Sequence, residues 1–140
     1  MSEFEKVYAI TDWYDGARKG VADLNGQPHY FENYWIENKQ FWSDIFLLRS
    51  IDDDTFALFM EDWKIWLRWE KAFKEGKISQ ETHPCLPEDR RRHDELEFIL
   101  DQRLITCFET DIQANAEFIY GESTKVNWKL IDLADAIEKI

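Results

Sequence analysis

The apolar residues of this chain fall into short strand-like runs at its start, a helical period through its middle and a period of two near its end. Across residues 6–14, Val7, Tyr8, Ile10, Trp13 and Tyr14 are β-branched or aromatic side chains of the kind that suits a pleated surface, and Asp15-Gly16 breaks the run. A second run at 20–24 leads into Asn25-Gly26, the dipeptide favoured in a two-residue type I′ hairpin because both positions need positive φ. The returning strand is predicted at 29–36. Pro28, just past the turn, has no N–H for a ladder, so either its missing donor faces outward or this end of the sheet is an edge. Residues 42–49 read as a fourth strand.

A helix start follows. Asp52 can accept from the orphan N–H groups of the first turn, Asp53 and Asp54 favour the positive end of the helix dipole, and Ile51 with Phe56 has the spacing of a hydrophobic staple. The helix is predicted to run to Gly76, a residue suited to the left-handed position after a helix end. Pro84 and Pro87 make 77–86 a connection, and Pro87 opens a second helix, with Glu88 and Asp89 in its first turn, that reaches about Ile105. Residues 112–120 and 126–131 alternate at period two around Gly121 and predict two more strands, followed by a short terminal helix or tail at 133–140.

The order β-β-β-β-α-α-β-β predicts an α+β fold: an antiparallel sheet of about five or six strands with a central pair of helices packed on one face. The last strands can then pair with the first. A length of 140 residues suits a single domain spanning 1–140, with no repeat or linker within it.

Placing the long helix at about 100° per residue puts Phe56, Phe59, Met60, Trp63, Trp66 and Trp69 on one wide arc and Lys64, Arg68 and Lys71 opposite. Asp62 and Glu70 break this pattern by projecting into the aromatic arc. A buried carboxylate needs a partner, and Arg18, Lys19, His29, His83, Arg91 and Arg92 are the candidates. Asp62, Glu70, Arg18 and His83 therefore form either an ion-pair network or the lining of a pocket. The Trp63, Trp66, Trp69 stripe is explained by core packing more simply than by a stacking platform for a sugar or base. His93 shares a helical face with Leu96, Leu100 and Leu104, where a hydrogen-bonded core histidine is expected.

The turn Asp12-Trp13-Tyr14-Asp15-Gly16-Ala17-Arg18-Lys19-Gly20 holds acids, aromatics and adjacent bases beyond what a chain reversal requires. It is a candidate binding loop through Asp12, Trp13, Tyr14, Asp15, Arg18 and Lys19. The segment around His83-Pro84-Cys85 brings an imidazole near a thiol, but no third orienting residue or oxyanion donor accompanies them, so the prolines are read as stiffening the connection. Three scattered histidines, with no HExxH, His/Cys cluster or DxDxDG loop, give no expectation of a metal site, and the absence of phosphate-cradling glycine motifs gives none of a cofactor.

Seven Trp and ten Phe in a chain that is 44% hydrophobic place it among folded domains. Its formal net charge of -12 argues against nucleic acid or an anionic membrane as partner, because affinity for those comes from Lys and Arg. Cys85 and Cys107 are too few for a disulfide framework, and the start of the chain has neither the basic region nor the apolar stretch of a signal peptide, so a cytoplasmic location is expected. Together these features point to a non-catalytic protein-binding or regulatory domain with an acidic, aromatic-bearing surface, an inhibitor-like role against a basic partner included. The alternatives are a small enzyme or ligand-binding protein using the carboxylate, His and Arg residues beside the helix pair, or self-association through an edge at Pro28.

Overall fold

In the computed structural model, which describes residues 4–36, 38–105 and 112–131 and only the backbone of 34–36, the strands and helices follow the predicted order. They are β1 (Glu5–Trp13), β2 (Ala17–Leu24), β3 (Gln27–Ile36), β4 (Phe41–Ser50), α1 (Asp53–Lys74), α2 (Arg90–Leu104), β5 (Ile112–Ile119) and β6 (Lys125–Leu130). The terminal element expected at 133–140 lies outside the described residues. The chain divides into two compact units: Met1–Ile51 with Phe108–Ile140 contains the strands, and Asp52–Cys107 contains the helices.

In the first unit every neighbouring pair of strands is antiparallel and the sheet closes on itself, β6 returning to β1. Closure rests on the pairs Glu5↔Val126 and Lys6↔Lys125 and on the Val7 N–H donating to the Thr124 carbonyl at 3.2 Å. The strand pattern predicts an antiparallel sheet whose last strands can pair with the first, and irregular register bends that sheet into a closed barrel. β1 shifts register against β2 at three places between Val7 and Trp13, and β4 bulges opposite β3 between Asn33 and Trp35. Each bulge adds local twist and bends its strand.

The interior is a cluster of Phe31, Phe46, Phe118 and Trp128, whose ring centroids lie 5.7–5.9 Å apart in tilted or edge-on pairs. So many rings fit because Ala17, Ala22 and Ala114 are small, and because Gly20 stands opposite Phe31 in the ladder. A Cβ on Gly20 would sit 2.1 Å from the Ala9 carbonyl oxygen and 2.8 Å from the Phe31 ring. The one polar atom of the Trp128 ring is satisfied, its Nε1 donating to the Asp23 carbonyl at 3.0 Å.

The β2–β3 turn is the predicted type I′ pair, with φ of 54° at Asn25 and 76° at Gly26. Glu5 reaches it from β1, its Oε1 accepting from the Gly26 N–H at 2.8 Å. Pro28 pairs with Asp23 on β2, and its carbonyl accepts from the Ile51 N–H one step beyond the last β3–β4 pair, His29↔Ser50. Its missing donor thus falls at the end of a ladder, and closure leaves no sheet edge there. The alternating up-and-down order sends the β1–β2, β3–β4 and β5–β6 turns to one end of the barrel and the Asn25-Gly26 turn to the other.

The helical unit starts as its sequence indicates. Asp52 accepts from the Thr55 N–H at 2.7 Å, and α1 ends where Gly76, at φ 73°, lets its own N–H reach the Phe73 carbonyl and that of Lys77 reach Ala72. Pro87 opens a single 3-10 turn, Pro87–Asp89, rather than α2 itself, which begins at Arg90. Ile65, Cys85 and Leu96 form the buried centre, with Leu58 against it. Polar pairs between the helices run antiparallel: Arg103 to Asp54 and Thr55, Arg92 to Glu61, His93 to Asp62, and Arg68 to Asp89 just ahead of α2.

The close fit around Gly20 makes a sharp prediction. Gly20→Ala forces a methyl group against a backbone oxygen and should lower the unfolding free energy by about 3 kcal/mol. The urea midpoint measures it, and an unchanged midpoint would show that the barrel is not packed against this position.

Candidate functional site

At the end of the barrel that carries the β1–β2 and β3–β4 turns, side chains from several strands converge on Arg18. The cause is local. Between the pairs Asn33↔Phe46 and Trp35↔Trp42, three β4 residues, Ser43, Asp44 and Ile45, face one residue of β3. A bulge leaves carbonyl groups without ladder partners, and buried carbonyls need donors. Asn33, 2% exposed, supplies two of them from its side-chain amide, to Ser43 at 2.6 Å and Ile45 at 3.0 Å, while Asn115 of β5 donates to Asp44 at 2.9 Å.

The remaining Asn33 oxygen accepts from Arg18 Nη1 at 3.1 Å. Arg18 in turn holds the turn that precedes it, its Nε donating to the Tyr14 carbonyl at 2.8 Å and its Nη2 to that of Asp15 at 3.3 Å. The guanidinium also lies over the Trp42 ring, 4.4 Å from its centre. Within the turn, Asp15 and Gly16 adopt positive φ, the Tyr14 N–H bonds the Gly16 carbonyl at 2.9 Å, and the Ala17 N–H donates to the Tyr120 hydroxyl at 2.9 Å.

This framework turns aromatic rings toward solvent. Trp13 is 56% exposed, Tyr14 64%, Phe41 46% and Tyr120 45%. Trp13 meets Tyr120 edge-on at 4.8 Å, Tyr120 stacks on Phe118 of the core at 5.6 Å, and Tyr14 lies 6.0 Å from Trp42. Of the predicted loop, Asp12 and Lys19 are also exposed and face each other across β1 and β2. Trp42, Asn33 and Tyr120 carry as much of this arrangement as the loop does, yet they come from distant parts of the sequence. Nothing in the local pattern links them to residues 12–19.

Arg18 therefore belongs to the strand unit, whereas Asp62, Glu70 and His83 belong to the helical unit. Within that unit the three meet three different neighbours. Asp62 does lie in the buried stripe of α1, between Phe59 and Ile65, and it takes a hydrogen bond from His93 Nδ1 at 2.7 Å. The partner is therefore His93 rather than Arg18, Lys19, His29, His83, Arg91 or Arg92. Glu70 sits at the rim of the stripe, half-exposed, and pairs with Lys74 one turn on at 3.5 Å. His83, after which the peptide bond to Pro84 is cis, packs edge-on against the indoles of Trp66 at 5.4 Å and Trp69 at 4.8 Å.

The tryptophan stripe is packing, as its spacing indicates. Trp69 is buried, stacks on Trp66 and Phe73, and donates from Nε1 to the Thr82 hydroxyl at 2.8 Å, which ties the connecting segment to α1. Cys85 lies at the centre of the unit, where burial pushes its thiol up, away from the thiolate that nucleophilic chemistry needs. Around the outside of the hairpin, the Asp89 carboxylate raises the Arg68 guanidinium by a two-point hydrogen bond at 2.9 and 3.0 Å, and the Arg92 guanidinium holds the Glu61 carboxyl below its ordinary value in the same way.

No protein-family model, curated protein or solved structure matches the chain. Among the described residues, no helix is long and apolar enough to cross a membrane.

The Glu61–Arg92 pair gives the helical unit a pH dependence of known sign. Folding lowers the Glu61 pKa below the ordinary 4.5, so the unfolded chain takes up the proton first as pH falls. The pair's contribution is complete above about pH 4.5 and is lost as pH drops through the lowered folded value. Both side chains are 42% exposed, so solvent screening keeps the contribution small. Glu61→Gln should be slightly less stable than the wild type at neutral pH and converge with it in acid, as read by denaturant titrations across pH. An offset that stays constant into acid would contradict this sign.

Proposed function

We propose that this protein is a non-catalytic binding domain, cytoplasmic and without cofactor, that docks a basic protein partner through the aromatic end of its barrel. The carrying observation is the exposure of Trp13, Tyr14, Phe41 and Tyr120 at the barrel end organised by Arg18 and Asn33. Large aromatic side chains lose apolar area to water when left exposed. Grouped on a rigid support, they gain contact area on binding at low conformational cost, which is why such residues concentrate at interfaces.

The support matters as much as the rings. Arg18 uses its donors on the turn itself and on Asn33, so its role in this reading is to hold Tyr14 and Trp13 outward before a partner arrives. A net charge of -12 favours a basic partner and speeds its approach through long-range attraction. The alternative enzymatic reading gains no comparable support. Asp62 and Glu70 are each engaged in an ion pair or hydrogen bond, His83 is packed on indoles, and the Cys85 thiol is buried.

The test is affinity capture with the full chain and a Trp13→Ala, Tyr14→Ala variant in parallel. The wild type is expected to retain a basic protein at low salt and release it as salt rises. The variant should retain at least tenfold less while keeping its circular dichroism spectrum. Equal recovery by the two chains, or recovery of no protein by either, would overturn the proposal.

A further inference from the structure

Helix α2 opens with the sequence Arg90-Arg91-Arg92-His93-Asp94-Glu95-Leu96-Glu97, in which His93 and Glu97 are one turn apart on a single face. The Nδ1 of His93 is 2.7 Å from Asp62 of α1. A carboxylate at that distance accepts a hydrogen bond from Nδ1, so in the neutral imidazole the lone pair lies on Nε2. Nε2 lies 3.6 Å from the Glu97 carboxylate. That is too long for a hydrogen bond, and it is close to the spacing of two ligands that each sit about 2.1 Å from one tetrahedral ion. Asp94 completes a set of three donors whose atoms all lie within 4.8 Å of one another.

The charges around this point favour a cation. Arg92 is engaged by Glu61 and Glu95, and Arg91 lies beside Glu95. Arg90 approaches Asp94 only to 3.8 Å. Two exposed carboxylates, Asp94 and Glu97, thus lie near the imidazole with a single loosely placed guanidinium beside them. We propose that His93, Asp94 and Glu97 bind a divalent transition-metal ion on the helical hairpin, with Asp62 as the positioning residue that orients the imidazole. An imidazole nitrogen with two carboxylates suits zinc, cobalt or nickel better than magnesium or calcium, which prefer oxygen alone. The exposure of Asp94 and Glu97 leaves the outer coordination positions to water or to a further ligand. This site is independent of the binding surface on the strand unit.

Zinc titrated into the chelator-treated full-length chain should saturate at one equivalent by calorimetry. Glu97→Gln, at an exposed position that the fold does not need, should weaken binding at least tenfold. His93→Gln should abolish it, and Asp62→Asn should weaken it tenfold through the lost orientation of the ring. In the imidazole region of the NMR spectrum, zinc should shift His93 and leave His29 and His83 in place, and millimolar magnesium should not reverse the shift. Binding by Glu97→Gln as tight as the wild type's, equal shifts at all three histidines, or the absence of saturable binding would overturn the site.

Discussion

The barrel holds four aromatic rings in its interior in part because several of the positions around them carry small side chains. Gly20 lies under Phe31 at a distance that excludes even a methyl group, and Ala17, Ala22 and Ala114 share the cluster with Leu24, Leu48 and Val126. Trading side-chain volume on one strand for ring area on another lets a six-stranded sheet close on a small radius and still pack to interior density. Closure then sets the other geometry of this unit. It removes sheet edges and gathers alternate turns at one end. It also forces the β4 bulge that Asn33 must satisfy.

From that bulge follows the arrangement at the barrel end. Asn33 spends its amide donors on open carbonyls and its oxygen on Arg18, and Arg18 spends its remaining donors on the β1–β2 turn. A packing constraint in the core is thus converted, through a chain of hydrogen bonds, into a fixed outward orientation for Trp13 and Tyr14. The helical unit uses polar contacts differently. Arg–carboxylate pairs along the hairpin set the register of α2 against α1, with the Asp62–His93 bond within the stripe itself. Register through ionic pairing is well suited to a helix as polar as α2.

The local signals in the sequence match the structure because local physics produces them. The Asn25-Gly26 turn, the Asp52 cap, the Gly76 helix end and the order of strands and helices each depend on neighbouring residues and backbone preference. Barrel closure was not legible, since it depends on register shifts that break the period-two pattern rather than follow it. The candidate site was half legible. The composition of residues 12–19 marked the loop, but Asn33, Trp42 and Tyr120 join it only through tertiary pairing. Helical spacing places Asp62 on the apolar stripe and marks His93 as a hydrogen-bonded histidine on its own helix, but that the two are each other's partners depends on how the helices face, which cannot be read from either one.

The central claim is that Arg18 holds the aromatic turn in place before any partner binds, and amide hydrogen exchange tests it most directly. The Tyr14 and Ala17 amides, bonded to the Gly16 carbonyl and the Tyr120 hydroxyl, are the reporters. With Arg18→Ala, exchange at both should accelerate at least tenfold, while the amides of Val21 and Phe31 in the barrel wall keep their protection. Unchanged exchange at Tyr14 and Ala17 in that variant would show that the turn holds its shape without Arg18, and would contradict the account.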